Sequence, residues 1–187
     1  MKLMYEKILP TENSSWRYWL YKQDRIEFNW HYHHEYEIAL TLNSRGQRYV
    51  GDSIESYHEL DMAFIGPHLP HTWCSSEDVN GRPQQTFVAQ IPFEWLDALI
   101  LNMPDLAGYK HLLKLSRRGL TFGPDTVRKA AKVFKKMQHA SAAERFIALM
   151  QIFQLMLEDP EKRVLSSGGY NISMRSDPST DKLDNII

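Results

Sequence analysis

Cysteine is nearly absent: Cys74 is the single one in 187 residues, so no intrachain disulfide can form. That fits a reducing cytoplasm and leaves a hydrophobic core to hold the fold. Neither sign of charge is in excess. With 22 basic residues against 23 acidic ones, charge alone marks no nucleic-acid surface. Long apolar runs are missing as well: MKLMYEKILPTENSSW contains no apolar stretch of signal-peptide length, and no later segment approaches the ~20 residues of a membrane span. The expectation is a cytoplasmic protein without a membrane partner. What is present, 43% hydrophobic and 24% charged residues, is the composition of a globular domain able to bury a core.

Period-two alternation dominates the first half. WRYWLYK, residues 16–22, reads as a strand, and residues 26–33 set Ile26, Phe28, Trp30 and Tyr32 against Glu27, Asn29, His31 and His33. In residues 37–42 Ile38, Leu40 and Leu42 share one face, and Glu37, Ala39 and Thr41 the other. The small side chains beside Glu37 leave room for a ligand. Gly51-Asp52 is a two-residue hairpin signal between strands at 47–50 and 53–57. A buried strand at 62–65 leads to GPHLP, whose glycine and two prolines stiffen the loop before His71. Residues 75–83 read as a polar loop and 84–91 as the last clear strand.

The period then changes to that of helices. Pro92 opens one over 92–102, one or two short helices follow before Gly119 as C-terminal cap, and 120–122 reads as a short strand. A helix over 124–137 carries Val127, Ala130, Ala131, Phe134 and Met137 on one stripe. Ser141-x-x-Glu144 has the form of a capping box opening a helix that runs to Glu158. This last helix has more apolar surface than one stripe needs, so Phe146, Leu149, Met150, Phe153 and Leu157 are candidate dimer contacts beside a share that packs on the chain itself. Beyond residue 162 the composition turns linker-like, and DKLDNII at 181–187 spaces Leu183, Ile186 and Ile187 like the start of an amphipathic helix.

The chemistry-bearing residues concentrate in NWHYHHEYEIALTL, at 29–42. His31 and His33 share a strand face, a reversal near His34 and Glu35 returns Glu37 to it, and the GPHLP loop presents His71. Imidazole nitrogen with carboxylate oxygen suits one divalent transition metal such as Zn, Ni, Mn or Fe. The same groups can grip a polar ligand without a metal, or simply satisfy one another in the interior. Trp73 is the pocket candidate among Trp30, Tyr49, Phe64 and Trp73, while His34, His58 and His68 fall on turns.

His31-Tyr32-His33 with Glu37, then Arg45-Gly46, Tyr49-Val50-Gly51-Asp52, Asp61-Met62, Gly66-Pro67 and Pro70-His71, resembles the cupin family and, more narrowly, the amino-terminal sensor domain of AraC-type transcriptional regulators. The resemblance implies a mainly β fold with C-terminal α: a cupin (double-stranded β-helix, jelly-roll) barrel with short helices over 1–122 and a dimerising helical hairpin over 123–160. It further implies a linker and the start of a truncated helix-turn-helix domain over 161–187. Leu60 stands where the family usually has a glycine before the aspartate. The implied function is binding of a small-molecule effector, such as a sugar, by His31, His33, Glu37, His71 and Trp73, in a homodimer and without turnover. DNA contact would be left to the domain that follows. The rival expectation is a metal-dependent cupin enzyme, an oxygenase or a sugar isomerase, using the same four ligands.

Overall fold

The computed structural model describes residues 2–9, 11, 13–76 and 81–170. In chain order the elements are β1 (Met4–Tyr5), β2 (Arg17–Gln23), β3 (His31–Tyr32), β4 (Tyr36–Leu42), β5 (Gly46–Val50), β6 (Ser53–Tyr57), β7 (Leu60–Ile65), β8 (His71–Ser75) and β9 (Gln84–Ile91). Then come α1 (Phe93–Asn102), a 3-10 turn (Pro104–Leu106), α2 (Tyr109–Ser116), β10 (Leu120–Thr121), α3 (Pro124–Met137), α4 (Ala142–Glu158) and β11 (Arg163–Val164). The strands make two sheets, in the orders β1-β3-β8-β5-β6 and β11-β10-β7-β4-β9-β2. All pairings are antiparallel except β1 with β3. The fold is therefore mainly β with helices in its later part. Among the described residues, hydrogen bonds do not close the sheets into one barrel.

Why β4 is buried along its whole length follows from what lies on each side of it. Its even residues, Tyr36, Ile38, Leu40 and Leu42, join Phe64, Phe87, Phe134 and Phe153 in a large apolar core between the six-stranded sheet and the helices. Its odd residues face the other sheet, where Ala39, Ala63 and Ile65 meet Val50, Leu69 and Trp73 in a much smaller cluster. Directly opposed residues of antiparallel strands share a face. Ala39 is opposed by Ala63 on β7 and by Val88 on β9, so two alanines thin the inter-sheet layer beside Glu37.

Several local expectations match. Ser141 caps α4 and Glu144 reaches back to it in a full capping box. Gly119 sits at φ +66, past the end of α2, and a β-carbon there would meet Val50 at 2.6 Å. Others are corrected. Of the strand expected over 26–33, only His31–Tyr32 pairs in a ladder, and residues 26–30 are not a strand. Part of the ladder is replaced by side chains of β8: the Ile26 amide donates to Ser75 Oγ at 2.7 Å and the Asn29 amide to Thr72 Oγ1 at 3.0 Å.

Residues 163–170, which the composition assigns to a linker, pack on the fold. Val164 pairs with Leu120, Ser166 is buried, and Asp52 accepts from Ser166 Oγ at 2.6 Å and from the Ser167 amide at 2.9 Å. Residues 171–187, including the expected helix start, lie outside the described residues. On α4, Leu149 and Phe153 are corrected from dimer contacts to core: both have 0% exposure. Phe153 packs edge-on against Phe64 and near Tyr109, and Phe146 packs on Trp95 of α1. Sheet, α1, α2 and α3 thus use most of the apolar excess of α4. Ile147, 67% exposed, is its freely exposed large apolar residue.

Candidate functional site

His31 of β3 and His71 of β8 are directly opposed across the five-stranded sheet, which places them on one face. The loop before His71 is pinned on three sides: Gly66 N–H donates to Ser116 O, His68 N–H to His33 O, and Gly51 N–H to Pro70 O. A β-carbon on Gly66 would lie 2.8 Å from the Arg117 backbone, so glycine permits the close approach to α2. The turn after β3 brings His33 back to Glu37 of β4, as the His-x-His-x3-Glu spacing predicts.

The hydrogen bonds around the imidazoles follow one plan. Nδ1 of His31 lies 2.7 Å from Asn29 O, Nδ1 of His33 3.1 Å from Glu35 O, and Nδ1 of His71 2.8 Å from Leu69 O. Each contact is to a backbone carbonyl two residues away, and a carbonyl only accepts. Nδ1 therefore carries a proton in all three rings, and Nε2 is the atom left to bind a metal when the ring is neutral. Potential ligand atoms of the three histidines lie within 4.8 Å of one another. Such orientation of imidazoles by outer partners is the usual second layer of a metal site.

Glu37 completes the floor. Its Oε2 lies 3.0 Å from His33 Nε2 and accepts from Gln90 Nε2 at 3.0 Å, while Oε1 lies 3.6 Å from His71 Nε2. Lone pairs of nitrogen and carboxylate oxygen facing each other at 3.0 Å call for a cation or a proton. Nε2 of His71, with 0% exposure of its residue, has no partner at hydrogen-bond distance, which a metal bond would remedy.

Electrostatics keep Glu37 ionised. Burial pushes the Glu37 carboxyl up, but the His33 and His71 contacts outweigh it and hold the group well below the usual carboxylate range. His31 is pushed below the ordinary histidine value by burial and then by His71 beside it. Ionised carboxylate and neutral imidazole are the forms that bind a metal. The three histidines fit one divalent transition metal, with Glu37 in contact with two of them.

Beside this cluster opens a cavity of about 310 Å³, bordered by His31 and Glu37 and large enough for a small organic molecule. Tyr21 and Gln23 of β2, Thr86 and Val88 of β9, and Trp73 of β8 wall it. Trp73 has a structural duty too, since its Nε1 donates to Asp61 Oδ2 at 2.9 Å. Asp61 also pairs with the buried Arg48, which holds Glu55 at 2.7 Å. The other aromatic candidates fall away from the cavity: Phe64 is in the helix-side core, and Tyr49 packs on Phe28. His68 meets His34 edge to face outside the cavity, their ring nitrogens 3.1 Å apart.

Glu6 is the residue that motif reasoning missed. It lies at the cavity with Oε2 3.2 Å from His31 Nε2. No motif contains it, and β1 is too short to carry a periodic signal. The sole cue was a carboxylate close to a tyrosine in an otherwise unpatterned amino terminus.

No protein-family model matches the chain, and no curated protein matches it. The likeness to AraC-type sensor domains rests on the motif block at residues 29–73. Among the described residues, no helix is long and apolar enough to cross a membrane.

Proposed function

We propose that this chain is the effector-sensing and dimerisation part of an AraC-type transcriptional regulator, its two facing sheets a cupin-type jelly roll. One observation carries the binding half of this reading: three imidazoles with backbone-bonded Nδ1 atoms gather at the edge of a cavity, the Nε2 atoms of His33 and His71 beside Glu37. A bound metal supplies a Lewis-acidic anchor for ligand oxygens. Tyr21, Gln23 and Gln90 add hydrogen-bonding groups, and Trp73 and Val88 an apolar wall, a mixture suited to a small polar effector such as a sugar.

The regulatory half rests on the ordered motif set and on how residues 163–170 leave the fold. They are tied to the β5–β6 hairpin through Asp52, and that hairpin is bonded to the loop before His71 through Gly51 N–H and Pro70 O. An effector that prefers one arrangement of this loop would bias the segment that follows. The dimer contact of this reading falls to the exposed turn of α4 around Ile147, with Phe146 and Met150 partly exposed beside it. DNA contact belongs to a further domain.

A metal-dependent oxygenase or isomerase is the second reading, favoured by the cavity bordering the same ligands. One experiment weighs both. Purified chain is analysed for bound metal, then screened with small molecules by thermal shift and product analysis, beside the triple variant His31→Ala, His33→Ala, His71→Ala. The sensor reading expects bound metal lost in the variant and a compound that raises Tm unchanged. Steady conversion of that compound establishes the enzyme instead.

A further inference from the structure

We infer that the cavity takes an amine carried on an aromatic ring, the ring resting on an apolar row that begins at Trp19 and the ammonium meeting the carboxylates of Glu37 and Glu6. The inference rests on the ligand-pocket reading above and narrows its effector from small polar molecules in general to one chemical class. Its first support is the layout of the inter-sheet face. Directly opposed residues of antiparallel strands share a face, so Trp19 on β2, Val88 on β9, Ala39 on β4 and Ala63 on β7 form one apolar row across the sheet. The next row, two residues or about 7 Å along the strands, contains Gln90 and Glu37. A flat group on the first row, with a short arm, reaches the carboxylate of the second. Strand β2 is the edge of its sheet, and Trp19 and Tyr21 stay 47% and 40% exposed there, their rings 6.2 Å apart. Tyr18 and Leu20, on the opposite face of the same strand, pack on the helix-side core. The two outer rings therefore have no such packing role, and they offer a stacking surface beside the cavity that Tyr21 lines.

Charge is the second support. Glu6, Glu27 and Glu37 border the cavity, and no Lys or Arg does. Glu27 is paired with Arg25, which leaves Glu6 and Glu37 for a ligand. Ionised carboxylates only accept hydrogen bonds, so the ligand must bring the donors. Thr86 Oγ1, on the same lining, is a buried atom without a partner and gives the donors a further acceptor. Arg17, opposite Gln90 on β9, holds its guanidinium 4.9 Å over the Trp19 ring. That ring face thus already attracts a cation, as an electron-rich π surface does. An ammonium group complements the carboxylates and the rings together. A carboxylate or phosphate in its place would meet like charge with no basic side chain on the lining to offset it.

The test is calorimetric titration of the whole chain with three probes of one shape, 2-phenylethylamine, 2-phenylethanol and 3-phenylpropionate, and with glucose as a ring that is not aromatic. The inference expects the amine to bind tightest and the acid about tenfold or more weakly. Trp19→Ala, at an exposed position, keeps the native Tm and binds the amine about tenfold more weakly. Glu6→Gln narrows the gap between amine and alcohol. An acid that binds as tightly as the amine overturns the inference, and so does undiminished amine binding by Trp19→Ala. Glucose bound where the aromatic probes are not overturns it too, while leaving the pocket reading standing. Should none of the four bind, the inference falls alone, because the thermal-shift screen above decides the pocket reading; a screen that finds no ligand of any class removes both. Should Trp19→Ala misfold, Trp19→Leu serves, with the same weakening expected and unchanged binding overturning the assignment.

Discussion

Strand β4 divides two interiors of opposite character. On its even side Tyr36, Ile38 and Leu40 meet helix residues such as Phe134, Phe153 and Met156 in a continuous apolar core. The polar groups that reach that core are paired: Tyr36 Oη donates to Asp97 at 2.9 Å and Tyr18 Oη to Phe134 O at 2.7 Å. On its odd side Glu37 and Thr41 share the inter-sheet space with His71, Arg48 and Asp61. Thr41 Oγ1, Thr86 Oγ1 and His71 Nε2 have no partner there. An unpaired buried polar group costs about 1–3 kcal/mol, so an interior that keeps several is shaped for something besides stability. The helix side holds the fold, and the inter-sheet side is held open by it.

The largest effect should come from damage to the helix side. Phe153→Ala removes a ring with 0% exposure that contacts Phe64 and Tyr109. The expected loss is about 3–5 kcal/mol in urea unfolding. Where the variant stays folded, metal content is unchanged, because Phe153 lies across the sheet from Glu37. A loss below about 1 kcal/mol would mean that α4 is not part of the core that supports β4.

Asp61→Ala should come next, at about 3 kcal/mol, because it leaves the buried Arg48 with only the partly exposed Glu55 as counter-charge and strips Trp73 Nε1 of its acceptor. This variant divides the polar side into two kinds of residue. Arg48, Asp61 and Trp73 are mutually satisfied, so their polarity is structural. A small change in urea midpoint with unshifted Trp fluorescence would contradict that pairing.

The sequence made β4 legible because both of its sides are buried for different reasons, so period two survives as an apolar row and a small-polar row. His31, His33 and Glu37 were readable because they lie within seven residues, and His71 because GPHLP fixes the loop before it. Glu6 was not, since its place depends on a parallel pairing with β3 that leaves no local trace. Residues 26–33 misled for a related reason: their alternation is genuine, yet Ser75 and Thr72 side chains take part of the ladder. On α4, composition showed the apolar excess but not the three helices and sheet that absorb it. Burial of Leu149 and Phe153 is a tertiary fact.

The smallest expected effect on the metal-free fold is that of His71→Leu, and it is the one that most directly separates the two interiors. The histidine gives one hydrogen bond, to Leu69 O, while its Nε2 has no partner. Leucine of similar size forfeits that bond and the 3.6 Å contact to Glu37 Oε1 but removes the orphan, so the metal-free chain should lose about 1–2 kcal/mol. Added metal must then widen the difference. At a free concentration one hundred times its dissociation constant, a metal that binds only the folded state stabilises the native chain by about 2.7 kcal/mol and leaves the variant unmoved. Urea unfolding of both chains with and without Co(II) measures this. A gap that stays the same on adding metal would place His71 with Asp61 among the structural polar residues and remove it from the site.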